Sequence, residues 1–169
     1  MPDRAPTIPA RPLAAMASAA ACIMLLLAPA SVSPPRAWSQ DATRNRIVVT
    51  GLELRSDEGR LSCLLFAEPD AEAFPRIRDR AFAASLGRIA SGMGRCVFSD
   101  VPPGRYALSV HHDADGDGRV DTGLFGIPTE GLGASNDAHG SFGPPSFRDA
   151  AFAYAGGELS LRVHVGYVF

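Results

Sequence analysis

The chain has 169 residues and a formal net charge of −2, from 16 arginines set against 18 acidic side chains, and it contains no lysine. The absence of lysine and the negative net charge argue against the strongly basic face that nucleic-acid binding needs. About 130 residues remain once a predicted leader is removed, which is the size of one ordinary domain. The leader carries three arginines and one aspartate, so the domain itself has a formal charge of about −4.

Residues 1–39 have the three parts of a secretory signal peptide. Arg4 and Arg11 give a basic start, residues 13–30 form an apolar run, and residues 28–30 and 37–39 are candidate cleavage sites. An N-terminal membrane anchor is the alternative, but the run is barely long enough to span a bilayer. No second apolar stretch has spanning length. We therefore expect an exported protein, periplasmic or extracellular, with one domain over residues 40–169 and no membrane span after cleavage.

Alternating apolar residues predict strands over residues 47–54 and 60–67, separated by a turn at residues 57–59. In the second strand apolar residues occupy both faces, with Leu61, Cys63 and Leu65 on one side and Leu64 and Phe66 on the other. We therefore expect both faces of this strand to be covered.

Two cysteines, Cys63 and Cys96, remain when the leader and its Cys22 are removed. An even pair in an exported chain indicates a disulfide, because such bonds persist in oxidising compartments. Two buried free thiols are the alternative.

Residues 68–84 hold two prolines, mixed charges and unevenly spaced apolar side chains, which predict a short helix or an irregular crossover. Further strands are predicted over residues 85–89, 95–99 and 105–112. A turn at residues 101–104 precedes the last of these, because proline and glycine set its dihedral angles.

Residues 113–147 are dense in glycine, aspartate, proline and serine and predict one long loop. Strands over residues 148–154 and 159–169 follow. About seven short strands with turns between them predict an all-β fold, a two-sheet antiparallel sandwich of the immunoglobulin-like or prealbumin-like kind. The apolar residues of the loop are expected to bury against the sandwich: Leu124, Phe125, Ile127, Leu132, Phe142 and Phe147. The alternative is a shallow ligand groove lined by Phe125, Phe142 and the aspartates of the loop.

The start of the long loop is the clearest functional feature. Its four aspartates, at relative positions 1, 3, 5 and 9, are Asp113, Asp115, Asp117 and Asp121, and a glycine lies at position 6. Calcium binds about six to eight oxygen atoms, and glycine permits the sharp turn between ligands. We therefore predict a calcium site formed by these side chains and the backbone carbonyl of Arg119.

The segment is not an EF-hand, because position 12 is Leu124 instead of a bidentate glutamate and no helices flank it. Glu130 or Asp137 is a candidate for a further ligand. The alternative is a solvated acidic turn whose carboxylates accept hydrogen bonds from nearby backbone amides.

Two histidines end the strand that enters this loop. Strand alternation places His112 on the inward face, and we predict that His112 and Glu130 orient the loop by hydrogen bonds at its base. A zinc site of His112, Asp113 and His139 is a weaker alternative, because adjacent strand residues face opposite sides.

Several motifs run through the chain after the leader: residues 59–66, 96–98 and 101–107, His112-Asp113, residues 115–118, and residues 125–131, 133–136 and 143–152. In this combination they resemble the bacterial DUF2141 family of exported proteins. The resemblance implies a secreted or periplasmic β-sandwich, and the Pro-Pro-Gly-x-Tyr turn is similar to that of transthyretin-type and carboxypeptidase-regulatory-like domains. Family members often have asparagine where this chain has Asp115 and Asp117, and the added negative charge favours a cation. The resemblance implies no particular activity.

The motifs of common catalytic classes are missing from the sequence: it has no Gly-x-Ser-x-Gly turn and no glycine-rich run between a strand and a helix. We therefore expect a non-catalytic binding or structural module of the cell envelope, with calcium as its possible cofactor and an unknown protein or envelope component as its partner. The alternative is a carbohydrate-binding module or a hydrolase that uses the same loop, with Glu130 and Asp121 as its carboxylate pair.

Overall fold

A computed structural model describes residues 45–141 and 143–168 of the chain. Nine β-strands lie in these residues: β1 (Arg46–Leu52), β2 (Arg60–Ala67), β3 (Ala83–Gly87), β4 (Ile89–Ala90), β5 (Met93–Ser99), β6 (Gly104–Asp113), β7 (Gly131–Ala134), β8 (Phe152–Tyr154) and β9 (Glu158–His164). The predicted signal peptide, residues 1–39, lies outside the described residues, as does Phe142. Within the described part, no helix is long and apolar enough to cross a membrane.

The strands form two sheets, which confirms the predicted two-sheet, all-β architecture. One sheet has the order β4-β5-β1-β9, and the other has the order β3-β2-β6-β7, with β8 also paired to β6. The β1–β9 pair is parallel, whereas the other strand pairs are antiparallel. The parallel pair arises because the chain reaches β9 from β8, a strand of the other sheet, and no hairpin forces β9 to run opposite to β1.

The main core lies between the sheets and takes alternate residues of the central strands. β2 contributes Leu61, Cys63 and Leu65 from one face. β6 contributes Tyr106, Leu108 and Val110. A Cβ added at Gly94 of β5 would lie 2.8 Å from the Leu61 side chain, so Leu61 fills the space that a larger residue there would need.

A second, smaller core covers the outer face of the five-stranded sheet. Phe66 of β2 packs edge-on against Phe74, which packs edge-on against Phe147. The crossover from β2 to β3 contains two 3-10 helices, Glu68–Ala73 and Arg78–Arg80. Residues of this crossover and of a short helix, α1 (Phe147–Ala150), pack over this face. β2 is therefore covered on both faces, and the crossover is irregular, as predicted.

A disulfide joins Cys63 and Cys96, whose Cα atoms are 6.4 Å apart. Cys63 belongs to β2 and Cys96 to β5, so the bond connects the two sheets through the main core. The predicted pairing is thus present in the structure.

Four predicted elements differ from the structure. The strand predicted over residues 85–89 is divided between β3 and β4, because Arg88 belongs to neither. The range 113–147 contains β7, whose sequence Gly-Leu-Gly-Ala lacks the β-branched residues that mark a strand. The range 148–154 begins as α1, because the Ser146 hydroxyl accepts a hydrogen bond from the Asp149 amide and caps a helix; only its end is β8. The final strand stops at His164, because Gly166 forms a bridge to Leu132 of β7 and carries the chain towards the other sheet.

Candidate metal site

The acidic loop, residues 113–121, begins at the last residue of β6 and lies at one end of the sandwich. The β2–β6 register places Arg60 opposite Asp113, and the β6–β7 register places Gly131 opposite His112. Glu130, which precedes β7, is thereby brought to the base of the loop. Gly59 allows the β1–β2 turn to lie directly against the start of the acidic loop. A Cβ at this position would lie 2.0 Å from the Asp113 carbonyl oxygen, so no larger residue fits.

The structure brings three of the predicted ligands together. Carboxylate oxygens of Asp113, Asp115 and Asp117 lie within 4.8 Å of one another. The Asp117 amide donates to the Asp115 carboxylate at 3.0 Å, and the Arg119 amide donates to the Asp117 carboxylate at 2.7 Å. Gly118, with a φ of 82°, permits the tight turn that curls these oxygens towards one point.

Asp113 is the buried member of the group, with a side chain that is 0% exposed. One of its oxygens accepts a hydrogen bond from Arg60 Nε at 2.9 Å, and the other accepts from the Gly118 amide at 3.3 Å. Burial raises the pKa of Asp113, but the hydrogen bonds and the charge of Arg60 outweigh it and hold the pKa below its ordinary value. Arg60 also donates to the Gly116 carbonyl and so places a positive charge against the loop.

Replacing Arg60 with alanine is expected to lower the free energy of unfolding by about 2 kcal/mol, because it removes one of the two donors to a buried carboxylate. Urea denaturation at pH 7 measures the change. The matched control is Arg46→Ala, which breaks an exposed ion pair with Glu158 and should cost about 0.5 kcal/mol. Equal losses in the two variants would mean that Arg60 does not hold Asp113 in the way described.

The two remaining predicted ligands, Asp121 and the Arg119 carbonyl, are not among these three carboxylates. Asp121 is exposed and is not one of the three converging carboxylates. The negative charge of Glu130 raises the pKa of Asp121, with smaller contributions from burial and from Asp115 and Asp117. Arg119, whose carbonyl is a predicted ligand, is exposed, and its amide is the group that contacts Asp117.

Glu130 joins the two ends of the loop. Its Oε1 accepts from the Ala114 amide at 2.8 Å, and its Oε2 accepts from the Asp121 amide at 3.0 Å. His111 Nε2 lies 2.6 Å from the same Oε2. Burial raises the pKa of Glu130, but the hydrogen bonds from Asp121, His111 and Ala114 outweigh it and lower the pKa. This is the geometry by which Glu130 would orient the loop.

His112 supports the end of β6 from the inward face. Its Nε2 lies 3.0 Å from the Glu58 carbonyl, and its Nδ1 lies 2.5 Å from the Tyr167 hydroxyl. Because a carbonyl only accepts, Nε2 donates, and in the neutral ring Nδ1 accepts from Tyr167. His112 therefore contacts the β1–β2 turn and the C-terminal segment instead of the acidic loop. Among the described residues, His112, Asp113 and His139 are not a group of converging ligand atoms, so the alternative zinc site is not formed.

Residues 121–129 form a short hairpin beyond the acidic loop, and its tip is exposed. The Thr129 amide donates to the Asp121 carbonyl at 3.0 Å, and the Gly123 amide donates to the Ile127 carbonyl at 2.8 Å. These bonds carry the tip away from the sheets, so that Leu124 is 83% and Phe125 is 96% exposed. The expectation that these two side chains bury against the sandwich is therefore wrong, whereas Phe147 does bury.

Sequence reasoning did not identify Arg60 or His111 as part of the site. Each reaches its partner through strand pairing: Arg60 lies opposite Asp113, and His111 lies opposite Leu132, close to Glu130. The signal that would have found them is the register of β6 with β2 and β7.

The fold and the site together define a two-sheet β-sandwich with an acidic loop at one end. The family model for an uncharacterized protein conserved in bacteria (DUF2141) matches residues 47–162. The chain belongs to this family, and the match includes the whole acidic loop and Glu130. No curated protein and no solved structure matches the chain.

Proposed function

We propose that this protein is an exported, non-catalytic binding or structural module of the cell envelope whose acidic loop is ordered by calcium. The observation that carries the proposal is the convergence of the Asp113, Asp115 and Asp117 carboxylates within 4.8 Å. Carboxylates this close repel one another, and a hard divalent cation that prefers oxygen ligands relieves the repulsion.

The surroundings of the three carboxylates support this proposal. Glu130 holds the Ala114 and Asp121 amides, so the loop is already curled and a cation would have less chain to order. Arg60 pairs with the buried Asp113, whereas Asp115 and Asp117 are exposed and can receive an ion from solvent. Water and backbone carbonyls would complete the coordination, as is usual for calcium.

The environment of Glu130 supports a non-catalytic role. A hydrolase that used Glu130 as its general acid would need a carboxyl group with a raised pKa. The pKa of Glu130 is instead lowered, and three hydrogen bonds engage its buried carboxylate. Those contacts favour a structural carboxylate.

Two features support export. Residues 1–39 have the pattern of a signal peptide. The Cys63–Cys96 disulfide is the kind of bond that persists in oxidising compartments. The partner would then be a protein or another component of the envelope.

Calcium is expected to raise the melting temperature of the purified protein. An ion that binds only the folded state, present at about 100 times its dissociation constant, adds about 2.7 kcal/mol. For a domain of this size that corresponds to a shift on the order of 10 °C. Thermal melts in calcium and in chelator measure the shift, and magnesium at the same concentration tests the preference for a larger cation.

The controls are matched substitutions of exposed aspartates. Asp117→Asn removes a converging charge and should abolish most of the calcium response, whereas Asp79→Asn, in the crossover, should leave the response intact. Identical melts of the unaltered protein in calcium and in chelator would overturn the proposal. So would an Asp117→Asn protein with an undiminished response.

A further inference from the structure

A second group of side chains, none of them from the acidic loop, shares a cavity of about 320 Å³. The cavity is lined by β7, by the residues that follow it, and by the end of β9 and its continuation. Its lining includes His139, His164, Asp137 and Glu53. We propose that His139 and His164 bind a transition-metal cation of the class that prefers imidazole nitrogen, such as Zn²⁺ or Cu²⁺. This site is independent of the proposed calcium loop.

Both histidines present the nitrogen that a metal needs. His139 Nδ1 lies 2.9 Å from the Asp137 carbonyl, which can only accept, so Nδ1 carries the proton. His164 Nδ1 lies 2.9 Å from the Asp137 carboxylate, which also accepts. In both neutral rings the lone pair is therefore on Nε2. No hydrogen bond between described residues uses Nε2 of either ring.

Asp137 is the residue that orients both rings. Metal-binding histidines characteristically donate their second ring N–H to a carboxylate or a backbone carbonyl, which fixes the tautomer and the ring orientation. Asp137 supplies one acceptor of each kind, and its carboxylate also accepts from the His164 amide at 2.9 Å. One residue thus sets the tautomers of two histidines that are distant in sequence and line the same cavity.

Three residues in or next to the cavity lining have left-handed backbone conformations. Asp137 has a φ of 48°, and Asn136 before it has a φ of 60°. The Asn136 side chain donates to the Asp149 and Ala151 carbonyls, which fixes this turn. Glu53, also in the cavity lining, has a φ of 64°. Left-handed non-glycine residues are uncommon and are concentrated at binding sites, where the surrounding structure holds them.

The arrangement favours a two-histidine site that solvent completes. Among the described residues, the three converging carboxylates of the acidic loop form the one group of three or more His, Cys, Asp or Glu ligand atoms within 4.8 Å of one another, so the proposed site has two protein ligands. His164 and Asp137 are each 51% exposed at the side chain, so the ion can enter from solvent. The charges of Glu53 and Asp137 offset part of the charge of a divalent cation.

Isothermal titration of the untagged protein with Zn²⁺ tests the proposal, and the expected stoichiometry is one ion per chain. His139→Ala and His164→Ala should each weaken binding at least tenfold. Asp137→Asn replaces the carboxylate beside the His164 ring with a neutral amide and keeps the backbone carbonyl beside His139; it should weaken binding about tenfold. The electron paramagnetic resonance spectrum of bound Cu²⁺ should show two imidazole nitrogens in the unaltered protein and in Asp137→Asn, and one in each histidine variant.

The double variant Asp115→Asn/Asp117→Asn is the control, because it removes the calcium ligands and should leave zinc binding unchanged. Melting temperatures in chelator show that each variant is folded. The proposal is overturned if Zn²⁺ does not bind, or if binding is unaffected by both histidine substitutions. Neither result bears on the calcium proposal, which is tested separately by the melts in calcium and in chelator.

Discussion

Removal of the Cys63–Cys96 disulfide is expected to lower the free energy of unfolding by about 3–4 kcal/mol. The bond closes a loop of 33 residues. Cross-linking a loop of this length lowers the conformational entropy of the unfolded chain, which stabilises the folded protein by about that free energy. It also joins β2 to β5, the only covalent connection between the sheets other than the chain itself in the described residues. The melting temperature should fall by about 10–15 °C.

Urea denaturation of the oxidised protein and of the Cys63→Ala/Cys96→Ala variant measures this loss. A reductant should lower the denaturation midpoint of the unaltered protein and leave that of the double variant where it is. If mass spectrometry shows complete reduction and the midpoint does not move, the disulfide does not stabilise the sandwich.

Glu130→Ala is expected to lower the free energy of unfolding by about 3 kcal/mol. The substitution removes the acceptor for the Ala114 and Asp121 amides and the partner of His111, at a side chain that is only 8% exposed. Both ends of the acidic loop lose their anchor at once. The calcium response should therefore fall together with the stability, although Glu130 is not one of the three converging carboxylates.

Glu130→Gln separates the charge from the shape of this side chain. Glutamine offers one acceptor oxygen, so it can hold one end of the loop while its NH₂ group faces the donor at the other end. We expect it to lose nearly as much stability as alanine, whereas the control Glu158→Gln, at an exposed glutamate, should change little. A Glu130→Gln protein as stable as the original would contradict the role given to this carboxylate.

Acid should act on the same contacts. The pKa values of Glu130 and Asp113 are both lowered in the folded protein. A group with a lowered folded pKa contributes stability that is fully present above its unfolded pKa of about 4. That contribution is lost as the pH falls through the pKa of the group in the folded protein. Stability should therefore decline below about pH 4, and it should decline less in Glu130→Gln.

The sandwich could be predicted where alternation is strong. β2 and β6 carry apolar residues at every second position, and these are the residues that fill the main core. β7 could not be predicted in the same way, because Gly131 and Gly133, which pack against β9 and its continuation, have no side chains to create an alternating pattern. The parallel pairing of β1 with β9 joins segments that are far apart in sequence. A local residue pattern can predict each strand but not which strand it pairs with.

The sequence predicts only those contacts of the site that are made between residues close together in the chain. Asp113, Asp115 and Asp117 meet because they lie within one tight turn built on glycines. Asp121 is not one of these three, and Glu130 holds its backbone amide at the far end of the loop. The contact of Arg60 with Asp113 joins residues 53 positions apart and depends on strand register. The exposure of Phe125 likewise depends on a hairpin whose direction the sequence does not specify.

The amide ¹H–¹⁵N spectrum of the protein, recorded in chelator and then in calcium, tests the central proposal most directly. If the acidic loop binds calcium, the signals of residues 113–121 will shift and the shifts will saturate at one equivalent of calcium. The signals of the central strands will not shift. Spectra that superimpose at millimolar calcium would contradict this account and leave the acidic turn solvated without an ion.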